Sequence, residues 1–200
     1  MNFLAHQYLS RDHTEIRVGN FIADFIRGNQ LDGFSKGVQL GIALHRKIDE
    51  FTDSHELVHE SKRLLHPRQG KYASVLLDIY YDYFLAKNWS LYSKQPLKEF
   101  SASVYQDFHD NKEVFPPKVQ PILPSMREND WFYNYGSYWG INKALMSIAR
   151  RAKHSNTIEN SLADLKDLET ELEKNFLLFF PQLVQLSDDF FEEKGLNKTM

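Results

Sequence analysis

Apolar residues recur at three- and four-residue spacing along nearly the whole chain, the pattern of helices that each bury one face. Ile16, Phe21, Ile22, Phe25 and Ile26 form one such stripe. It predicts a helix from about Thr14 to Arg27, ended by Gly28 and Asn29. A short helix over residues 2–9 precedes it. Ser35 is placed to cap a third helix, with Phe34 as a staple, and Val38, Leu40, Ile42, Leu44 and Ile48 carry its apolar face to about Phe51. Ser54 reads as the cap of a fourth helix that ends before Pro67. Lys71 to Trp89 is a fifth, so apolar that it belongs in the interior. Pro96 suits the first turn of a sixth, reaching about Asn111, and Phe115-Pro116-Pro117 is a loop. Pro121 and Pro124 bound a short helical turn. Residues 130–151 read as helix interrupted near Gly136 or Gly140. Thr157 then caps a last long helix through Leu162, Leu165, Leu168, Leu172 and Phe176, which Pro181 should kink or break. No strand pattern or internal repeat interrupts this series. The expectation is an all-α fold, a compact helical bundle in a single domain over residues 1–190, with a polar tail at 191–200.

Composition narrows the chemistry. The 200 residues are 42% hydrophobic and 26% charged, as in a globular protein, and long enough for a real core. Aromatics reach 14%, which implies a bulky core, a large pocket, or both. There is no cysteine, which excludes disulfides, thiolate metal sites and a cysteine nucleophile. The formal net charge of -3 does not advertise a nucleic-acid or membrane partner. The start Met1-Asn2-Phe3-Leu4-Ala5-His6 lacks the pattern of a signal peptide, and the apolar run at 176–180 is too short to span a bilayer. A cytoplasmic location is expected.

Candidate chemistry lies in the front half. In His45-Arg46-Lys47-Ile48-Asp49, positions 45 and 49 are about 40° apart around a helix, so an imidazole and a carboxylate can reach one point. Asp53 follows about 80° away. Imidazole with carboxylate suits a borderline divalent cation such as Mn, Fe or Zn; the plain alternative is an intrahelical hydrogen bond. Asp78 and Asp82 share a face of the apolar fifth helix, where two carboxylates need a cation, a proton, several donors or an arginine. Asp24 and His6 are likewise polar groups in apolar helical segments. Four apolar helices that each carry His or Asp point to one inward-facing metal site shared between them. Arg150 and Arg151 match either phosphate or a helix C-terminus. His13, His55, His59, His66, His109 and His154 fall in polar stretches and read as surface residues. No phosphate-binding glycine loop, nucleophile-elbow serine or dinucleotide fingerprint is present.

Several segments together resemble the bacterial acyl-carrier-protein phosphodiesterases. They are Met1 to His6, Gly19-Asn20-Phe21-Ile22-Ala23-Asp24-Phe25-Ile26-Arg27-Gly28, His45 to Asp53, Leu77-Asp78 through Tyr83-Phe84-Leu85, Asn88-Trp89, Ala149-Arg150-Arg151 and Phe179-Phe180-Pro181. The likeness runs to about residue 185 and is weakest over 95–130. It implies an HD-like, all-helical, metal-dependent hydrolase that removes 4′-phosphopantetheine from holo-acyl carrier protein, with manganese as the associated cation and Fe or Zn as alternatives. Two positions depart from the family pattern: Tyr83 stands where the family has His, and Gln7-Tyr8 where relatives often have another His. On this footing His45, Asp49 and Asp82 are expected to bind the metal, with Asp24 or His6 completing the site. Asp78 orients a water or a ligand, and Arg46 or Arg151 neutralises a phosphate oxygen. Lys62, Arg63, Arg68 and Lys71 would form a basic docking face for the acidic carrier. The competing expectations are an HD-type phosphohydrolase of small phosphate esters and a non-catalytic module that binds carrier protein.

Overall fold

The computed structural model describes residues 1–26, 28, 31–152 and 157–196. Arg27 and Asn29, at the predicted end of the second helix, lie outside them, as do His154 and the last four residues. Every regular element among the described residues is helical, as the periodicity predicts. The α-helices are α1 (Phe3–Leu9), α2 (Thr14–Ile22), α3 (Lys36–Ser54), α4 (Glu56–Gln69), α5 (Ala73–Lys87), α6 (Leu97–Asp110), α7 (Ile122–Glu128), α8 (Trp131–Asn134), α9 (Tyr138–Arg151), α10 (Ser161–Asp167) and α11 (Glu169–Glu193). Short 3₁₀ turns join several of them, including Ala23–Phe25 directly after α2.

Local chemistry sets the ends. Ser35 caps α3 as expected, its Oγ accepting from Val38 N at 3.3 Å. The cap of α4 is not Ser54, whose hydroxyl donates back to Glu50 O at 2.8 Å, but His55, whose Nδ1 accepts from Leu57 N at 3.2 Å. Pro67 and Pro181 do not end α4 and α11, which run on through them. Both prolines are exposed, where the carbonyl four residues back can be hydrated. The predicted last helix is instead broken at Leu168, and Thr157 donates its hydroxyl to Gln69 Oε1 at 2.9 Å. Residues 191–193, expected in the polar tail, complete α11, and Phe190 and Phe191 are buried.

The core is one continuous cluster into which α5 is sunk, from Leu76 and Tyr80 to Phe84 and Leu85. It packs against α1, α4, α9 and α11. The closest pairing is α2 against α3. Gly19 and Gly41 face each other there: a Cβ on Gly19 would stand 2.0 Å from Val38 O, and one on Gly41 2.2 Å from Ile16 O. This backbone-to-backbone approach brings the end of α2 within side-chain reach of the middle of α3.

Candidate metal centre

Four segments meet at the crossing of α1, α2 and α3. His6 comes from α1, Asn20 from α2, Asp24 from the 3₁₀ turn that follows it, and His45 with Asp49 from α3. The turn matters because it takes Asp24 off the helical path the sequence predicted and aims it at His45 (Asp24 Oδ1 to His45 Nε2, 3.2 Å). The His6 and His45 rings stack at 4.2 Å, tilted by 20°. Both are buried.

Asn20 organises the pair. Its Nδ2 donates to His6 O at 3.1 Å and to Ser10 Oγ at 2.9 Å. Its Oδ1 therefore faces the imidazoles, 2.7 Å from His6 Nδ1 and 3.1 Å from His45 Nδ1. An amide oxygen only accepts, so both Nδ1 atoms carry hydrogen. In the neutral rings the lone pairs then sit on Nε2, and both Nε2 atoms face Asp49: His45 Nε2 is 3.0 Å from Oδ2, and His6 Nε2 is 3.3 Å from Oδ1. The His6 contact is not a hydrogen bond, so this buried nitrogen has no hydrogen-bond partner.

Charge follows from this packing. Burial disfavours a charged His6 and lowers its pKa. For His45 burial also acts downward, but the hydrogen bonds to Asp24 and Asp49 win and raise it to about 9. Asp49 is held well below the usual carboxylate range by both histidines despite its partial burial, and the hydrogen bond from His45 lowers Asp24 as well. The arrangement therefore gathers two carboxylates and two ring nitrogens at one point, and an ion bound there would take the place of the His45 Nε2 proton. One ligand atom from each of His6, His45 and Asp49 lies within 4.8 Å of the other two. A divalent ion fits this donor set: two imidazole nitrogens preset by a shared second partner, a carboxylate, and an orphaned buried nitrogen that needs an electrophile.

The other expected site residues are placed differently. Asp78 stands at the rim, 3.2 Å from the Met1 nitrogen, which is itself 4.0 Å from Asp49. Asp82 is fully buried and outside the group of three; its two carboxylate oxygens accept from the backbone N–H of Leu4 (2.8 Å) and Ala5 (3.1 Å) at the start of α1. Burial pushes its carboxyl up to about 7 against the pull of those donors. Arg46 donates to Gly28 O at 2.5 Å, holding the segment after Asp24. Arg151 lies on α9, its Nε 3.2 Å from Ser147 O. Asp53 pairs with Lys62. Tyr83 points away from the centre, donating to Glu169 Oε1 at 2.9 Å and stacking on Tyr138. Asn20 was not among the sequence candidates, because a neutral amide in an apolar helix raises no charge-burial alarm. The proposed basic docking face is largely engaged: Lys62 pairs with Asp53, Arg63 with Glu56, and Arg68 with Asp164 and Asp167.

The chain is an all-helical body with a His–His–Asp cluster between its helices, a donor set that could hold a metal ion. Comparison with known proteins gives the family. The model of the acyl carrier protein phosphodiesterase family matches residues 1–183, and the chain belongs to that family. Among curated relatives named acyl carrier protein phosphodiesterase, that of Photorhabdus laumondii subsp. laumondii is 29% identical over 194 residues, covering 96% of this chain and 98% of its own. That of Klebsiella pneumoniae strain 342 is 30% identical over 190 residues (94% and 98%). That of Shigella boydii serotype 18 is 31% identical over 185 residues (92% and 96%). No solved structure matches the chain. Among the described residues no helix is long and apolar enough to cross a membrane.

Proposed function

We propose that the chain is a metal-dependent phosphodiester hydrolase that removes 4′-phosphopantetheine from holo-acyl carrier protein, with His6, His45 and Asp49 holding the ion and Asp24 beside them. Membership of the family supplies the substrate. The observation that carries the chemistry is the pair of Nε2 lone pairs fixed by one amide oxygen and aimed at one carboxylate. Manganese is the cation we favour, since imidazole with carboxylate suits a borderline divalent ion.

When bound, such an ion supplies a water of lowered pKa and an electrophile for a phosphate oxygen. The chain's own part is positioning. Asn20 keeps both imidazoles in the ligating tautomer. Asp49 and Asp24 supply the negative charge that draws a cation into a half-buried place. Asp78 stands at the rim, where its carboxylate can accept a proton from an incoming water. Asp82 anchors the amides of α1 and so fixes His6; it is a positioning residue rather than a ligand in this reading. In the reaction the bond between phosphorus and the carrier's serine oxygen breaks, water oxygen bonds to phosphorus, and a proton goes to the serine oxygen. Arg151 would offset charge on the phosphate in this reading.

The test is the intact mass of holo-acyl carrier protein incubated with the protein and Mn²⁺. Loss of the phosphopantetheine mass, stopped by a chelator and absent with Asp49→Ala, is expected. An unchanged carrier mass with folded, metal-loaded protein would overturn the reading.

A further inference from the structure

A cavity of about 400 Å³ opens beside the centre, and of the residues given a role above only Arg151 lines it. Its inner end is built from Asn2, Phe3 and Ile79, the immediate chain neighbours of Met1 and Asp78 at the rim of the centre. Tyr135 lines it as well, buried and near enough to Asp82 and Arg151 to feel the charges of both. The wall is α9 between Trp139 and Arg151, a length of about 18 Å at 1.5 Å per residue. Such a shape suits a chain-like ligand rather than a compact one.

The lining is selective. Trp139 is 56% exposed and lines the cavity, so its indole is accessible to a ligand there. Lys143 lies over its ring at 3.7 Å, so a cation and an aromatic face are offered together. Asn142 and Asn2 add side-chain amides, which both donate and accept. Arg150 and Arg151 stand in the last turn of α9, where the helix dipole would otherwise leave negative potential, and Arg151 is near enough to Tyr135 for its charge to be felt there. The trough therefore pairs cations for a phosphate with amides and an indole face for a slender, amide-containing chain.

We infer that this trough is the seat of the pantetheine arm, with its phosphate directed to the centre and its amide chain lying along α9 against Trp139. The inference rests on the reaction given under Proposed function, but it concerns recognition and not cleavage. Free 4′-phosphopantetheine carries the same phosphate and arm, so it is the probe, and pantetheine is the same arm without phosphate.

Calorimetric titration of both into wild type, Trp139→Ala and Lys143→Glu decides the matter. Both changes are at exposed positions, so the fold is retained and is checked by circular dichroism. Wild type is expected to bind both compounds, and each variant to bind 4′-phosphopantetheine about tenfold more weakly. No binding to wild type, binding of both variants within about twofold of wild type, or binding that inorganic phosphate reproduces while pantetheine fails would overturn the inference. Cleavage of holo-acyl carrier protein by the same wild-type preparation separates the two readings. Cleavage with unaltered variant binding retains the reaction and removes the trough. Variant-sensitive binding without cleavage retains the trough and removes the reaction.

Discussion

The smallest determinant of the centre is one amide oxygen. Asn20 Oδ1 takes the Nδ1 hydrogens of His6 and His45 and so leaves both Nε2 atoms facing Asp49, where the proposed ion would sit. Replacing it by Leu should weaken Mn²⁺ binding about 10- to 100-fold, because the rings lose their tautomeric lock. Asn20→Asp, which still accepts at those positions, should retain more affinity than Leu; titration of metal into each variant checks the order. Protonation gives a second test. In the metal-free protein the raised His45 pKa stabilises the fold fully below its ordinary value near 6.5, and that contribution is lost as pH rises through about 9. The depressed Asp49 acts in the other direction, stabilising above its ordinary value near 4 and losing that only as pH falls through its lowered one. A metal taking the place of the His45 proton should release about one proton per ion at pH 7.5, read by calorimetry in buffers of different ionisation enthalpy. Equal heats in all buffers would contradict it. At this scale the meeting of His45 with Asp49 was legible, because four-residue spacing on a helix fixes their shared face. The bonds of Asp82 were not, because its partners are backbone amides of α1, which no side-chain pattern reveals.

Between elements the decisive feature is the glycine crossing of α2 and α3. It sets the distance between Asn20 and His45, which sits four residues after Gly41 on the same face of α3. Gly41→Ala would put a methyl 2.2 Å from Ile16 O, so the helices must part. The expected cost is about 2 kcal/mol or more in urea unfolding, together with a loss of metal affinity out of proportion to it. Unchanged affinity in the folded variant would show that the crossing does not position the site. Asp82→Ala tests the other support. It leaves the amides of Leu4 and Ala5 unpaired in a buried place, at about 1–3 kcal/mol each, and frees α1 with His6. The helical content of the chain was legible from spacing alone, since each long helix carries an apolar face. Boundaries were less so. Pro67 was read as a stop and Pro181 as a kink or break, yet both lie where water can replace the missing partner. Ser54 and His55 both can cap, and only the path of the turn decides between them.

At the scale of the molecule, α5 is the post around which the site is assembled: it is buried on most of its surface and holds α1 through Asp82 on one side and α9 on another. An ion that joins α1 to α3 should therefore stabilise the whole fold. At a concentration of 100 times its Kd the gain is about 2.7 kcal/mol, and the melting temperature should rise by about 5 °C or more. No shift with Mn²⁺ would contradict a shared site. The family was legible in the dispersed motifs, because they mark the places where α1, the α2 end, α3 and α5 meet. The recognition surface was not. The basic residues of α4 looked available in sequence, but folding brings Asp164, Asp167, Asp53 and Glu56 to them, whereas the trough along α9 joins residues that no short motif connects.

The central claim is that His6, His45 and Asp49 together hold a divalent ion. Pulsed electron paramagnetic resonance of Mn²⁺ bound to the full chain tests it most directly, since coordinated imidazole nitrogens couple to the electron spin. The account predicts one bound ion per chain with two such nitrogen couplings, one lost in His6→Ala and the other in His45→Ala. Manganese bound without nitrogen coupling, or a spectrum unchanged by both substitutions, would contradict it.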